Sequence, residues 1–149
     1  MNPGGATLSA ASDAPAVGPV AAGALSPIIL VQSTDVPTVV ADALDALDIT
    51  SGVIVGGSDA VSDTVRDELV VIMRDNGATT SPPVERWSGA DRYATAVEVV
   101  KNGVARRWVD RDTVGIATGR NFPDALGGGA ALGHYGSPLL LVKETVPSP

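Results

Sequence analysis

Apolar residues along this chain of 149 residues fall into two kinds of pattern. Four short runs are almost continuously apolar: Ile28–Val31, Val53–Val55, Val114–Thr118 and Leu139–Val142. Such runs, without polar alternation, suit strands covered on both faces, as in a parallel sheet. Between them, apolar residues recur at helical spacing. Val40, Leu44 and Leu47 follow an i, i+4, i+7 pattern, with Asp35 as the expected N-cap and Pro37 in the first turn. Val61, Val65, Leu69 and Ile72 form a similar stripe after Ser58-Asp59, and Val97, Val100, Val104 and Trp108 do so behind a Ser88-x-x-Asp91 capping box. Asn121-x-x-Asp124, with Pro123 in the first turn, marks a further helix start. Strands alternating with helices predict βαβ units in a layered α/β fold.

The pattern also repeats. "DAPAVGPVAAGALSPIILV" from Asp13 to Val31 aligns with "DALGGGAALGHYGSPLLLV" from Asp124 to Val142 at a constant offset of 111 residues. Asp, Ala, the helix glycine, Ser-Pro and the apolar strand all return in register. That spacing is long for a solenoid and right for one small α/β module, so the chain carries about one and a half copies.

Composition narrows the chemistry. Hydrophobic residues make up 44% and charged residues 18%, a globular balance, and with 3% aromatics the core must be aliphatic. No apolar run approaches the ~20 residues of a membrane-spanning helix, so membrane insertion is not expected. The absence of cysteine removes disulfides and thiolate ligands, and the single histidine, His134, removes a multi-histidine metal site. No cofactor is expected. The opening 25 residues lack the basic start and apolar core of a secretory signal. Net charge is −7, unevenly spread. Residues 1–80 hold only Arg66 and Arg74 against ten acids, whereas residues 81–149 hold eight bases against seven acids. Without a basic face on the first half, nucleic acid is not an expected partner, and an anionic ligand would meet the second half.

Candidate site residues follow the third apolar run directly: Arg120, Asn121 and Asp124. Ligands of open α/β sheets bind at the carboxyl ends of strands, and the planar guanidinium fork of Arg120 suits phosphate or carboxylate. Capping of the next helix is the other reading of Asn121 and Asp124. Arg92, beside Asp91, is a second candidate, with an ion pair to Asp91 or Glu85 as the alternative. Trp87 and Tyr93 flank it, and their flat faces suit either sugar rings or a module interface. Gly56-Gly57-Ser58-Asp59 sits at a strand-to-helix turn but lacks the remainder of a dinucleotide or phosphate-loop motif, so tight-turn geometry is its expected role. Gly127-Gly128-Gly129, inside a helix, implies close approach of a neighbouring element. No nucleophile elbow, metalloprotease motif or triad is present, so no catalytic residue is expected.

The stretches "ERWSGADRYATAVEVV", "ATGRNFPDALGGGAALGHYGSPLLLV" and "GVIVGGSDAVSDTVRDEL" resemble the cell wall-binding repeat type 2 modules of Gram-positive surface-layer proteins and murein amidase-associated proteins. The resemblance implies Rossmann-like or Toprim-like three-layer α/β modules with mainly parallel sheets, normally in tandem sets of three. Residues 1–80 would be the C-terminal part of a first module and residues 81–149 the N-terminal part of a second. It also implies an extracellular, wall-associated protein that attaches non-covalently to anionic wall polysaccharide and packs against neighbouring modules of its own chain. In that family a Pro-Ile-Leu-Leu motif is linked to polymer binding. The matching positions are Pro27, Ile28, Ile29 and Leu30, and Pro138, Leu139, Leu140 and Leu141, for which a buried structural role is the alternative. The first copy lacks Asn-Phe-Pro before its Asp-Ala. Two other functional readings remain open: part of an N-acetylmuramoyl-L-alanine amidase-type wall hydrolase, and a purely structural surface-array module.

Overall fold

The computed structural model describes residues 5–9, 14–119 and 122–143. The described chain runs β1 (Gly5–Ser9), α1 (Ala14–Ala24), β2 (Ile28–Leu30), α2 (Thr38–Ala46), β3 (Ser51–Val55), α3 (Asp63–Asp75), β4 (Val84–Trp87), α4 (Arg92–Ala105), β5 (Gly115–Thr118), α5 (Phe122–His134) and β6 (Leu139–Val142). A four-stranded sheet has the order β2-β1-β3-β4, and β5-β6 form a second sheet. Every pairing is parallel, with Thr7 opposite both Ile28 and Val53, Val53 opposite Glu85, and Gly115 opposite Leu139. β4 thus joins residues 81–149 to the sheet built from residues 5–55.

Alternation along the strands builds the layers. Ala6, Leu8, Ile54 and Val84 meet Val40 and Leu44 of α2 and Val65, Leu69 and Met73 of α3. On the other face, Val53, Val55 and Trp87 meet Val17, Val20 and Ala21 of α1 and Val99 and Val104 of α4. The result is a three-layer α/β/α unit. Leu8, Leu44, Ile54, Leu69 and Met73 are fully buried, each contributing about 1.5–3 kcal/mol by leaving water. Helices α1 and α4 also serve the second sheet: Ala16 and Ala96 pack with Leu139, Leu141 and Ala125. Small residues let these layers approach. A Cβ on Gly23 would run into the Trp108 carbonyl, and one on Gly133 would lie 3.0 Å from Ala22 Cβ.

The five described helices end in the same way. The backbone turns left-handed at Leu25, Asp48, Gly77, Arg107 and Gly136. The N–H of the next residue then bonds back to the helix, as in Ser26 to Ala21, Ile49 to Leu44, Ala78 to Met73, Trp108 to Gly103 and Ser137 to Leu132. This is the Schellman arrangement. Only Gly77 and Gly136 adopt the left-handed backbone without a Cβ penalty.

Several local expectations need correction. β1 and β4 escaped the apolar-run reading because Gly-Ala-Thr-Leu-Ser and Val-Glu-Arg-Trp are not continuously apolar and carry one β-branched residue each. Pro37, not Asp35, occupies the N-cap of α2, its carbonyl accepting from Val40 and Ala41, and Leu47 is exposed just past the end. The stripe after Ser58-Asp59 starts its helix later than Val61: residues 58–60 form a separate turn, and Ser62 caps α3, its hydroxyl accepting from Val65 N–H. Met73 rather than Ile72 completes the buried stripe of that helix. In α4 the buried residues are Thr95, Ala96, Val99 and Gly103, whereas Val97 is exposed. Two layers cover that helix, and small residues on both sides fit better than one valine stripe. Continuous burial also fails at Ile28, Leu30 and Ile116, which are exposed. A Cβ added at Gly127 or Gly128 would meet nothing within 4 Å; of the three glycines the close approach holds at Gly129, which is buried with its carbonyl carbon 4.0 Å from a Cβ placed on Gly18, and it continues one turn on, where Gly133 faces Ala22 and Pro19.

The repeat is visible as two strand–helix–strand units, β1-α1-β2 and β5-α5-β6. Thr7 N–H donates to the Pro27 carbonyl just as Gly115 N–H donates to that of Pro138. From those paired positions the sequence needs six residues to reach Asp13 and nine to reach Asp124. The three-residue difference equals the missing Asn-Phe-Pro.

Candidate functional site

Parallel topology brings β5 and β6 to a common carboxyl end, where the N-terminus of α4 meets them. Gly119 N–H donates to the Val142 carbonyl at 3.1 Å, holding the two strand ends together. Arg92 Nη1 donates to the Gly119 carbonyl at 3.0 Å. Lys143 Nζ lies 3.3 Å from Asp91 Oδ2 and 5.0 Å from the centre of the Tyr93 ring. Gly119 makes this possible, since a Cβ there would lie 2.6 Å from Tyr93 Cε1.

Asp91 is the N-cap of α4, its Oδ1 accepting from Tyr93 N–H at 3.0 Å and Ala94 N–H at 2.9 Å. Ser88 takes no part in this cap; Thr95 Oγ1 instead accepts from Gly89 N–H, closing the preceding loop. The Ala94 N–H bond is the main cause of a lowered Asp91 pKa, and the neighbouring Lys143 adds to it against a desolvation that raises it. Because Asp91 occupies the first free N–H groups of the helix, that helix end is not available to a bound anion as its own capping group. The cationic side chains carry the electrostatics. Among the described side chains there, Arg92 and Lys143 accompany the one carboxylate of Asp91, so two positive charges stand beside one negative charge and an aromatic ring. Such a cluster can hold an anionic group by charge-assisted hydrogen bonds while an apolar ring face meets the ring next to it.

The other sequence candidates distribute as follows. Arg120 and Asn121 lie outside the described residues; they follow Gly119 directly in the chain. Asp124 belongs to the first turn of α5, its side chain outside the described set. Pro138, Leu139 and Leu141 are buried, with Leu140 half-buried. Ile28 and Leu30 are exposed on the edge strand β2, with Ile29 half-buried and Pro27 exposed. Trp87 does not offer a sugar-facing surface: it is 6% exposed, packed between sheet and α1, its Nε1 donating to Glu85. Arg86 is engaged by the Gly56 carbonyl at 2.9 Å and by Asp63 at 3.3 Å, fastening β4 to the β3–α3 turn. Gly56, with φ +114°, makes the tight turn that its sequence suggested. His134 stacks edge-on to Tyr135, both exposed. Lys143 escaped the sequence reading, although the strand-end rule that pointed to Arg120 applies to it equally, one residue past β6. Among the described residues, no group of three or more acidic or histidine side chains is arranged to hold a metal ion, and no helix is long and apolar enough to cross a membrane.

Comparison with known proteins places this geometry. The family model for cell wall binding domain 2 matches residues 4–66 and 86–148. The chain belongs to that family. It is a cell wall-binding domain built of two tandem stretches of repeat, the second beginning within β4. It is 28% identical over 132 residues to the N-acetylmuramoyl-L-alanine amidase LytC of Bacillus subtilis (strain 168), covering 89% of this chain and 23% of that one. Two solved structures share the fold. Cwp6 from Clostridium difficile matches with a TM-score of 0.78 at 23% identity, over 93% of this chain and 21% of that one. Cwp8 from the same organism matches with a TM-score of 0.70 at 24% identity, over 99% and 24% respectively. The chain therefore spans about a quarter of the length of each of these proteins.

Proposed function

We propose that this wall-binding domain is non-catalytic and holds its parent protein on anionic polysaccharide of a Gram-positive cell wall, outside the membrane. The observation that carries the reading is the Arg92–Lys143 pair beside Tyr93 at the carboxyl ends of β5 and β6. Arg120 and Asn121 follow Gly119 directly in the sequence, and Arg120 adds a further cation to that stretch of chain. Phosphate or carboxylate groups of the polymer then exchange hydrogen bonds with guanidinium and ammonium, and a neighbouring sugar ring packs on Tyr93. Each site is weak, and repetition along a tandem array raises retention through effective concentration. The boundary between the two modules falls at residues 80 and 81, in the segment that links α3 to β4. Likeness to an amidase supports a parent in which such a module delivers a hydrolase to its substrate.

The test is retention of the chain on purified walls before and after chemical removal of the anionic polymer. Retention lost on stripped walls supports the proposal, and equal retention on both contradicts it. Clearing of wall material by the chain alone in a zymogram would contradict the non-catalytic part, and ordered arrays without wall retention would favour a purely structural module.

A further inference from the structure

A cavity of about 360 Å³ opens at the amino ends of β1, β3 and β4, at the far end of α4 from Arg92. Its volume falls in the range of roughly 300–1,000 Å³ usual for small-molecule sites. Thr7, Ser26, Ser51 and Thr80 line one part of it, and Glu85, Arg106 and Trp108 line another; the Thr7 and Ser26 hydroxyls lie 3.4 Å apart, and Ser26 Oγ donates to the Gly5 carbonyl. Arg106 Nη2 donates to Glu85 Oε2 at 2.7 Å, and its Nη1 donates to Asn102 Oδ1 at 2.8 Å. The guanidinium lies 5.0 Å from the Trp87 ring centre and 5.5 Å from that of Trp108, so two indoles fix its plane. Trp87 Nε1 also donates to Glu85 Oε2, at 3.1 Å, which fixes the carboxylate. These contacts use two of the five N–H groups of Arg106 and only one oxygen of Glu85.

We propose that this cavity is a second ligand site that takes a neutral sugar residue. Glu85 and Arg106 together carry no net charge, which favours a neutral ligand over a phosphate or a cation. An acceptor beside a donor, in a cavity also lined by Ser51 and Thr80, matches a ligand whose every polar group is both donor and acceptor, as the hydroxyls of a pyranose are. The pair is held in place before binding, so little side-chain entropy remains to be lost. The amphipathic Trp108 supplies apolar surface for the ring carbons. The ligand class agrees with the wall-polysaccharide reading above, whereas the location rests on the cavity alone.

Both tryptophans of the chain border Arg106, so intrinsic fluorescence reports on this site. Titration of the full chain with N-acetylglucosamine should give a saturable change in the millimolar range, and inorganic phosphate at matched ionic strength should give none. Glu85→Gln, which keeps the shape and removes the charge, should weaken the sugar response about tenfold. Thr80→Ala, on an exposed loop residue, should weaken it by a smaller factor, and thermal melting of both variants verifies folding. A flat sugar titration, an equal response to phosphate, or a response unchanged in both folded variants would overturn the proposal. A flat titration with intact wall retention sinks only this site. A saturable titration with no wall retention sinks only the anchoring role.

Discussion

The two strand–helix–strand units, β1-α1-β2 and β5-α5-β6, share a sequence pattern but not their surroundings. Ile28 and Leu139 are matching residues of the repeat, yet Ile28 is 41% exposed and Leu139 1%. The difference lies in what stands beside the second strand. β6 packs on α4 and α1, with Ala96 and Ala16 against Leu139 and Leu141. Among the described residues β2 has no counterpart of α4 against it. The first strands differ in the opposite direction: β1 sits between β2 and β3 and is buried, whereas β5 has one partner and exposes Ile116. An apolar run therefore encodes a strand, and its neighbours decide whether that strand is core or surface.

Matched substitutions sharpen this contrast. Leu139→Ala should cost about 2–5 kcal/mol in denaturant unfolding, because the cavity opens between two layers. Ile28→Ala at the equivalent position should cost less than about 1 kcal/mol; equal losses would break the comparison. Next in size is a pair on the first helix of each unit. Gly23 and His134 occupy the same repeat position, but only Gly23 lies against the Trp108 backbone. Gly23→Ala should destabilise by about 1–3 kcal/mol through overpacking, whereas His134→Ala should stay within about 0.5 kcal/mol. A third pair tests the helix ends. Leu25 holds a φ of +53° and is largely exposed, while its repeat partner is Gly136. Leu25→Gly should stabilise by about 0.5–1 kcal/mol, the left-handed strain outweighing glycine's entropy cost. The smallest effect concerns the α4 cap. The pKa of Asp91 is lowered in the folded chain, so its contribution is present above the unfolded carboxylate pKa and is lost as pH falls through the folded value. Asp91→Ala should lower the melting temperature by a few degrees at neutral pH and leave it unchanged in acid below that value.

Much of the layered fold was legible. Leu139–Val142 and Val53–Val55 are strands because continuous apolar runs have no other stable setting in a short segment, and the Val65–Leu69 stripe marks its helix. β1 and β4 were not legible, because their burial comes from flanking strands rather than from their own letters. The α4 face was misread for a related reason: a helix between two layers is selected for small residues such as Ala96 and Gly103 on its buried sides, which a search for large apolar residues passes over. In the candidate site, Arg92 was found from its place beside a helix start. Lys143 and the Arg106–Glu85–Trp108 cluster were missed, since their partners are brought together only by parallel pairing and by the return of the chain after α4. Trp87 suited either a sugar platform or a module interface in sequence because its neighbours are polar, whereas its side chain is buried with Val17, Val20 and Val99 of α1 and α4.

The central claim is that exposed cations at the strand ends hold the wall polymer. Its most direct measurement is the salt dependence of wall retention for the wild-type chain and the Arg92→Ala/Lys143→Ala double variant. Exposed charges are screened over about 8 Å at physiological ionic strength. The wild-type affinity should therefore fall steadily with added salt, and the double variant should start about tenfold weaker and show a shallower slope. A double variant that folds normally and matches the wild type in both affinity and slope would contradict the claim.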